Sequence, residues 1–444
     1  MAERIVVIGG DAGGMAAISQ IRKRKSDAEI VVFEKGHWTS YSACGIPYVV
    51  AGQVAGIERL VARTPEQFRE LGVDVRMRHE VTAIDLAGGH VEVRDTEGNT
   101  TLEMGFDQLL VATGGRPMRP PIPGIELGFV HGVQTLDDAA DLLAHAEAGR
   151  CRRVVVVGGG YIGLEMAEAF VERGVATTLV DSNEQPMKTL DTDMGALIAD
   201  ALRHHGVELR LCTKVRGFSD GAVVTDAERL EADLVVLGIG VGPNSQLARE
   251  AGLRLGARDA IAVDRRQHTS AAGVWSAGDC AETFHLVTRQ PTYVALGTVA
   301  NKGGRVAGIN IGGGDAVFPG VVGTAISKIC ATEVARTGLT EAEAREAGLA
   351  HVARTIESTT NAGYMPNAKP MSVKMVAERG SGRLLGAQIV GGSGAAKRID
   401  TVAVALHAGL DVQQVVDLDL AYAPPFSGVW DPVLIAAREL VKLI

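Results

Sequence analysis

Residues 154–163 read Val154-Val155-Val156-Val157-Gly158-Gly159-Gly160-Tyr161-Ile162-Gly163, an apolar run that ends in Gly-x-Gly-x-x-Gly. Four consecutive β-branched residues suit a strand buried on both faces. The glycines allow a tight turn, and a helix is expected from there to about Arg173, with a second strand closing at Asp181, 18 residues beyond Gly163. In such a unit the backbone N–H groups of the turn and the helix N-terminus face a pyrophosphate. An acid at the end of the next strand accepts hydrogen bonds from a ribose 2′-hydroxyl and repels a 2′-phosphate. Ser182 and Asn183 follow Asp181, where arginines would suit a phosphate. The segment therefore predicts a site for NADH in preference to NADPH, built from Gly158, Gly160, Tyr161, Ile162, Gly163 and Asp181.

The same pattern opens the chain. Residues 4–8 (Arg-Ile-Val-Val-Ile) lead into Gly9-Gly10-Asp11-Ala12-Gly13-Gly14, a helix is expected to about Lys25, and residues 29–34 read as a second buried strand. Asp11 occupies the central glycine position, so this fingerprint is imperfect. Glu34 lies 20 residues beyond Gly14, at the same end of its strand as Asp181. One glycine cluster is a weak signal, but two, each with its strand, helix and acid, predict two bound dinucleotides. Residues 230–240 suit a late strand of the second unit. Residues 109–117 (Leu-Leu-Val-Ala-Thr-Gly-Gly-Arg-Pro) and 273–279 (Gly-Val-Trp-Ser-Ala-Gly-Asp) each end a strand in small residues.

Beyond residue 320 the texture changes. Strands are expected at 372–376 and 384–390, and a helix at about 397–408. Ala423-Pro424-Pro425-Phe426 then breaks the chain before a last helix at about 432–443. This reads as a separate α+β domain. A chain of 444 residues has room for two or three domains. The net charge of −9 argues against a nucleic-acid partner. No run of about 18 apolar residues is present to cross a membrane, and the N-terminal Met-Ala-Glu-Arg lacks the pattern of a signal peptide. The five cysteines, 44, 151, 212, 280 and 330, form no Cys-x-x-Cys pair, which fits a reducing, cytoplasmic setting. No metal is expected.

Segments 9–14, 109–117, 158–163 and 273–279, in this order, resemble the pyridine nucleotide–disulfide oxidoreductase family of flavoproteins, over essentially the whole chain. The resemblance implies an α/β protein with two Rossmann-like dinucleotide-binding domains and a C-terminal α+β dimerisation domain. It divides the chain into an FAD domain (1–118 and 245–322), an NAD domain (119–244) and a dimerisation domain (323–444). FAD would be held by Gly9, Gly13, Gly14, Glu34, Lys35, Val81, Ala112, Thr113, Gly114, Arg116, Gly278 and Asp279, with Asp279 on the ribityl chain. Gly240 joins the NADH set, and Tyr161 would gate the nicotinamide face.

The chemistry is expected in Tyr41-Ser42-Ala43-Cys44-Gly45-Ile46-Pro47-Tyr48. Two-cysteine members of the family carry Cys-x-x-x-x-Cys here, whereas Val49 takes the place of the second cysteine. The chain thus resembles the one-cysteine branch: coenzyme A disulfide reductases, NADH oxidases and NADH peroxidases. A cysteine at a helix N-terminus is expected to be stabilised as thiolate, while the other four cysteines read as inert packing.

Three oxidants compete: a coenzyme A disulfide, peroxide or oxygen through a sulfenic acid, and a persulfide or polysulfide. Peroxidases and oxidases of the branch carry a histidine where Ala12 stands, and the coenzyme A reductases carry alanine. Persulfide reductases often add a rhodanese-like domain, for which residues 1–444 leave no room. By resemblance, Tyr422 of the partner subunit protonates the leaving thiolate, and Tyr364 matches a second active-site tyrosine. Ala16, Gln20, Lys23, Ser40 and Trp430 match substrate-contact positions. Ala43 and Trp430 depart from the asparagine and lysine of the known reductases. Arg22, Lys23, Arg24 and Lys25 also read as cations placed against a helix C-terminus.

The implied activity is NADH-dependent reduction of coenzyme A disulfide by a homodimer, through FAD and a Cys44–S–S–CoA mixed disulfide. The alternatives are an NADH oxidase or peroxidase and a coenzyme A persulfide or polysulfide reductase. From a different class come a diaphorase-like flavoprotein that passes electrons to quinones or proteins, and a redox-sensing scaffold, which an intact NADH fingerprint makes a poor fit.

Overall fold

The computed structural model describes residues 2–147 and 151–444. The opening pattern folds as expected. Strand Arg4–Ile8 lies at the centre of a five-stranded parallel sheet, between Glu29–Glu34 and Gln108–Val111, with Val274–Ser276 and Val73–Met77 at the edges. Ile5, Val6 and Val7 are fully buried because both faces are covered. The chain departs in opposite directions on either side of Arg4–Ile8. That leaves a crevice at the carboxyl ends of the strands, where open α/β sheets bind ligands.

Helix Ala12–Arg24 follows the first turn and packs on Gly297–Ile311. The two helices meet backbone to backbone: a Cβ at Gly304 would lie 2.1 Å from the Gly13 carbonyl oxygen, and one at Gly308 2.2 Å from that of Ala17.

The second unit repeats the design. Strand Arg153–Val157 sits between Ala176–Val180 and Leu234–Leu237, flanked by Glu208–Arg210 and Val130–His131, all parallel. Helix Tyr161–Glu172 follows its turn. The strand expected at 230–240 divides. Arg229–Glu231 belongs to a separate antiparallel sheet with Val215–Ser219 and Ala222–Thr225, and only Leu234–Leu237 enters the parallel one. Asp233 marks the break, its carboxylate accepting the N–H groups of Arg152 and Arg153 at 2.8 and 2.9 Å. Antiparallel strands Gly115–Pro117 and Val241–Pro243 join the two units.

The C-terminal unit is a five-stranded antiparallel sheet in the order Ala325–Ile329, Thr332–Gly338, Leu384–Gly391, Pro370–Glu378, His351–Thr359. Strand Pro370–Glu378 is longer than the expected 372–376. Helices Ile399–Ala408 and Pro432–Val441 pack on the sheet.

This unit is bolted to the second nucleotide-binding unit by buried charge. Lys374, only 6% exposed, reaches Asp193 at 2.8 Å, Glu341 at 2.6 Å and Asp191 at 3.4 Å. Gln388 donates to Asp191 at 2.6 Å, and Arg336 pairs with Glu343 at 2.6 Å while donating to the Thr189 carbonyl at 2.7 Å. Such a cluster adds little net stability over an apolar core, but removing one partner strands a buried charge.

Candidate active site

The first glycine turn is shaped by what crowds it. Gly9 has φ +104°, and a Cβ there would lie 2.1 Å from the Ala112 carbonyl oxygen; at Gly14 it would lie 2.1 Å from the Gly9 oxygen. At Gly13 the nearest atoms are Ala277 O at 3.1 Å and Gly278 Cα at 3.2 Å. The segments of Ala112 and Gly278 thus close on the same turn, as the sequence led one to expect. Thr113 Oγ1 donates to Asn244 O at 2.6 Å and fixes the neighbouring Gly114 loop. Glu34 accepts Gly10 N–H at 2.8 Å and Gly36 N–H at 2.7 Å, which aims its carboxylate at the turn with lone pairs to spare. Lys35 and Arg116 are exposed, and Val81 is buried on strand His79–Asp85.

The strongest indication of a ligand is Asp279. Its Oδ1 is buried and has no partner, and burial pushes the carboxyl up to about 6. The Tyr293 hydroxyl is also buried and unpartnered, and burial, followed by the nearby Asp279, raises its pKa. Buried polar groups in native proteins are almost always satisfied. Hydroxyl donors of a polyhydroxylated dinucleotide would satisfy Asp279 here, so the residues present fit FAD.

The second turn is equally tight. Gly158 has φ +102°, and a Cβ at Gly163 would lie 1.9 Å from the Gly158 oxygen. Asp181 accepts Gly159 N–H at 2.5 Å and both the backbone and side-chain N–H of Asn183 at 2.8 and 2.7 Å. Gly240, with φ +100°, accepts Met118 N–H at 2.9 Å. Ile162 is half-buried. The Tyr161 hydroxyl is buried beside Thr189.

Cys44 lies on the loop between the two turns. Tyr41 N–H donates to Asp11 Oδ1 at 3.1 Å, Ser40 N–H to Gly10 O at 3.0 Å, and Ser42 N–H to Leu60 O at 2.9 Å. The thiol occupies a 3-10 turn, Ala43–Gly45, ahead of the short helix Ile46–Val50. That helix packs on Tyr161–Glu172, so the thiol loop and the second fingerprint face one another.

The expected stabilisation as thiolate is not what the protein's own groups provide. The side chain reaches solvent, yet desolvation pushes the thiol up, and Glu165, Asp279 and Asp11 add to the effect. A five-residue helix has little dipole to offset three carboxylates. The two buried cysteines are poor competitors. Cys280 is fully buried with its Sγ 3.5 Å from the carbonyls of Val111 and Ala277, and burial pushes Cys330 up to about 12.

Several residues near the thiol were not singled out by the sequence. Glu165, one turn beyond Tyr161, accepts Ser327 Oγ at 2.5 Å, and its charge acts on both Cys44 and Tyr48. Its spacing from Tyr161 was the available signal. Asp11 was noticed only as an irregularity of the fingerprint.

Ala16, Gln20 and Lys23 lie along one face of helix Ala12–Arg24, with Ser40 on the thiol loop. The basic cluster beside them splits. Arg22 donates to the carbonyls of Ser26, Ala28 and Gly72, Lys25 pairs with Glu3, and Arg24 binds Gln20 at 2.9 Å. These three are engaged by the fold itself, and Lys23 is exposed.

Tyr364 and Tyr422 come together on the C-terminal unit, 74% and 48% exposed; desolvation and then the neighbouring Tyr422 raise the Tyr364 pKa. Ala362 N–H donates to Pro424 O at 3.0 Å and ties their two segments. Trp430 lies under the Arg438 guanidinium, 5.0 Å from its ring centre. The groups acting on Cys44 come from the first two units, while those acting on Tyr364 come from this one. Among the described residues no helix is long and apolar enough to cross a membrane.

Known proteins resemble this arrangement over its full length. The pyridine nucleotide-disulphide oxidoreductase family matches residues 3–304, and its dimerisation domain matches residues 324–433. The NAD(P)H coenzyme A polysulfide/persulfide reductase of Pyrococcus horikoshii is 39% identical over 99% of both chains. The coenzyme A disulfide reductase of Staphylococcus aureus is 28% identical over 96% of both. Among solved structures, an NAD-dependent persulfide reductase from A. fulgidus superimposes with a TM-score of 0.96 at 38% identity, covering 99% of this chain and 83% of that one. With two glycine turns, an acid serving each, and an accessible thiol between them, the chain belongs to the pyridine nucleotide-disulphide oxidoreductase family.

Proposed function

We propose that this protein is an NADH-dependent flavoenzyme that reduces the sulfur–sulfur bond of a coenzyme A-linked substrate at Cys44. The observation that carries the reading is a solvent-reaching thiol on a loop held between two nucleotide-binding turns, with no second cysteine at position 49. In this reading residues 1–118 and 245–322 hold FAD, 119–244 hold NADH, and 323–444 pair two copies. FAD, when bound, supplies the two-electron relay between NADH and sulfur.

The chain's own part is positioning and proton handling. The Cys44 thiolate attacks the coenzyme A sulfur; the S–S bond breaks, Cys44–S–S–CoA forms, and the departing thiolate takes a proton from Tyr422 of the partner subunit. Two electrons then return Cys44 and release coenzyme A. With the disulfide, one NADH and one proton yield two coenzyme A thiols. Ala16, Gln20, Lys23, Ser40 and Trp430 line the approach.

The same chemistry acts on a coenzyme A persulfide, with hydrosulfide leaving. One observation favours that second reading: the persulfide reductase relative is matched over 99% of its own length at higher identity than the disulfide reductase. Length therefore does not exclude persulfide chemistry, contrary to the expectation that such an enzyme would add a rhodanese-like domain. Anaerobic NADH oxidation with each substrate tests both readings. Coenzyme A must be required, with a kcat/KM at least about tenfold above that for simple alkyl disulfides. Equal rates with and without the coenzyme A moiety would end the proposal.

Asp181 offers a separate check. Asp181→Asn should raise KM for NADH about tenfold with little change in kcat, and narrow the gap to NADPH, because the ribose acceptor is weakened and its charge removed. Steady-state kinetics with both nucleotides would measure this.

A further inference from the structure

Asp11 stands at the N-cap of helix Ala12–Arg24, where aspartate ordinarily turns back to accept the N–H of the second or third helical residue. It makes no such bond. Its carboxylate faces the thiol loop instead and accepts Tyr41 N–H at 3.1 Å, three residues ahead of Cys44. The adjacent Gly10 carbonyl accepts Ser40 N–H at 3.0 Å and the Thr39 hydroxyl. Ser40, between them, has φ +50°, a conformation that a non-glycine residue keeps only when its surroundings enforce it. Three consecutive residues, 39–41, are thus clamped onto Gly10 and Asp11. The glycine that the fingerprint calls for at position 11 would lack the third clamp.

We propose that Asp11 is a positioning residue for Cys44: its carboxylate fixes the thiol-bearing loop through Tyr41 N–H and sets a negative charge on the thiol's side of the first glycine turn. The proposal rests on Cys44 being the reacting group, as in the reading above.

The groups facing Asp11 are consistent with this role. Burial pushes its carboxyl up to about 6; Glu34 and Asp279 act in the same sense, while the N–H groups of Tyr41 and Ala12 oppose it. Around Cys44, burial comes first, followed by Glu165 and Asp279, with Asp11 also raising the thiol. As pH rises through about 6, Asp11 ionises and adds negative charge beside a thiol that must itself become negative. Ionised Asp11 therefore holds Cys44 protonated to higher pH, and removing the charge moves thiolate formation to lower pH.

The test uses the NADH-reduced holoenzyme, with iodoacetamide alkylation of the Cys44 peptide followed by mass spectrometry from pH 5.5 to 9. Asp11→Asn keeps an acceptor for Tyr41 N–H but not the charge. Its alkylation profile should shift to lower pH, with a rate at pH 7.5 about threefold above wild type. Asp11→Gly restores the glycine fingerprint and removes both charge and clamp. It should show the same shift together with a several-fold lower kcat/KM for the coenzyme A-linked substrate. An Asp11→Asn profile that overlays wild type, or an Asp11→Gly enzyme with wild-type kcat/KM, would overturn the proposal. Turnover that survives in Cys44→Ser would instead bring down the reading of Cys44 itself, so the two failures are distinguishable.

Discussion

Cys44→Ser is expected to lower kcat/KM for the coenzyme A-linked substrate by at least about a thousandfold, with FAD content and NADH binding unchanged. A serine hydroxyl cannot form the mixed disulfide, and the two buried thiols are no substitute. Cys280 is locked among backbone carbonyls and Cys330 is buried. Stability should hardly move, because the Cys44 side chain reaches solvent and anchors no core cluster. The flavin absorbance spectrum, NADH titration and substrate turnover, measured on one preparation, would separate these outcomes. A variant that keeps turnover would mean that electrons leave by another route, as in a diaphorase.

Gly9→Ala should be the most damaging single methyl group in the first unit. Residue 9 sits at φ +104°, and the new Cβ would fall 2.1 Å from the Ala112 carbonyl oxygen, a contact with backbone that cannot swing aside. Backbone strain and overlap together should cost about 3 kcal/mol or more. Because the same turn is where the proposed FAD pyrophosphate would sit, FAD retention should fall with stability. Gly114→Ala is the control. It also has positive φ (+71°), but its Cβ would meet nothing within 4 Å, so it should cost only about 1 kcal/mol. Chemical denaturation and bound-flavin content measured on both variants would check this. Equal losses would show that conformation, not overlap, governs the turn.

Much of the framework was legible because it rests on local rules. The valine run at 154–157 and the apolar run at 5–8 had to be central strands, and Glu34 and Asp181 had to close their neighbours. Strand 29–34 has the same limits in sequence and structure. The pieces read less well were those decided by long-range partners. Asp233 splits the expected strand 230–240 because it caps two N–H groups some 80 residues earlier in the chain. At the site, the sequence singled out Cys44 but not the carboxylates around it. The carboxylates that raise the thiol come from positions 11, 165 and 279, and only folding brings them together. Glu165 also depends on Ser327, 162 residues away, a pairing that no spacing rule announces.

The ammonium of Lys374 has consequences for how this chain could be cut or recombined. Two of its three counter-charges, Asp191 and Asp193, lie on the far side of any break placed near residue 323, and only Glu341 stays with it. A C-terminal fragment produced alone, or grafted onto an unrelated nucleotide-binding half, would expose a lysine shaped for burial and leave Gln388 without its carboxylate. Evolution by shuffling of this unit would therefore have to carry the acidic pair at 191 and 193 along with it.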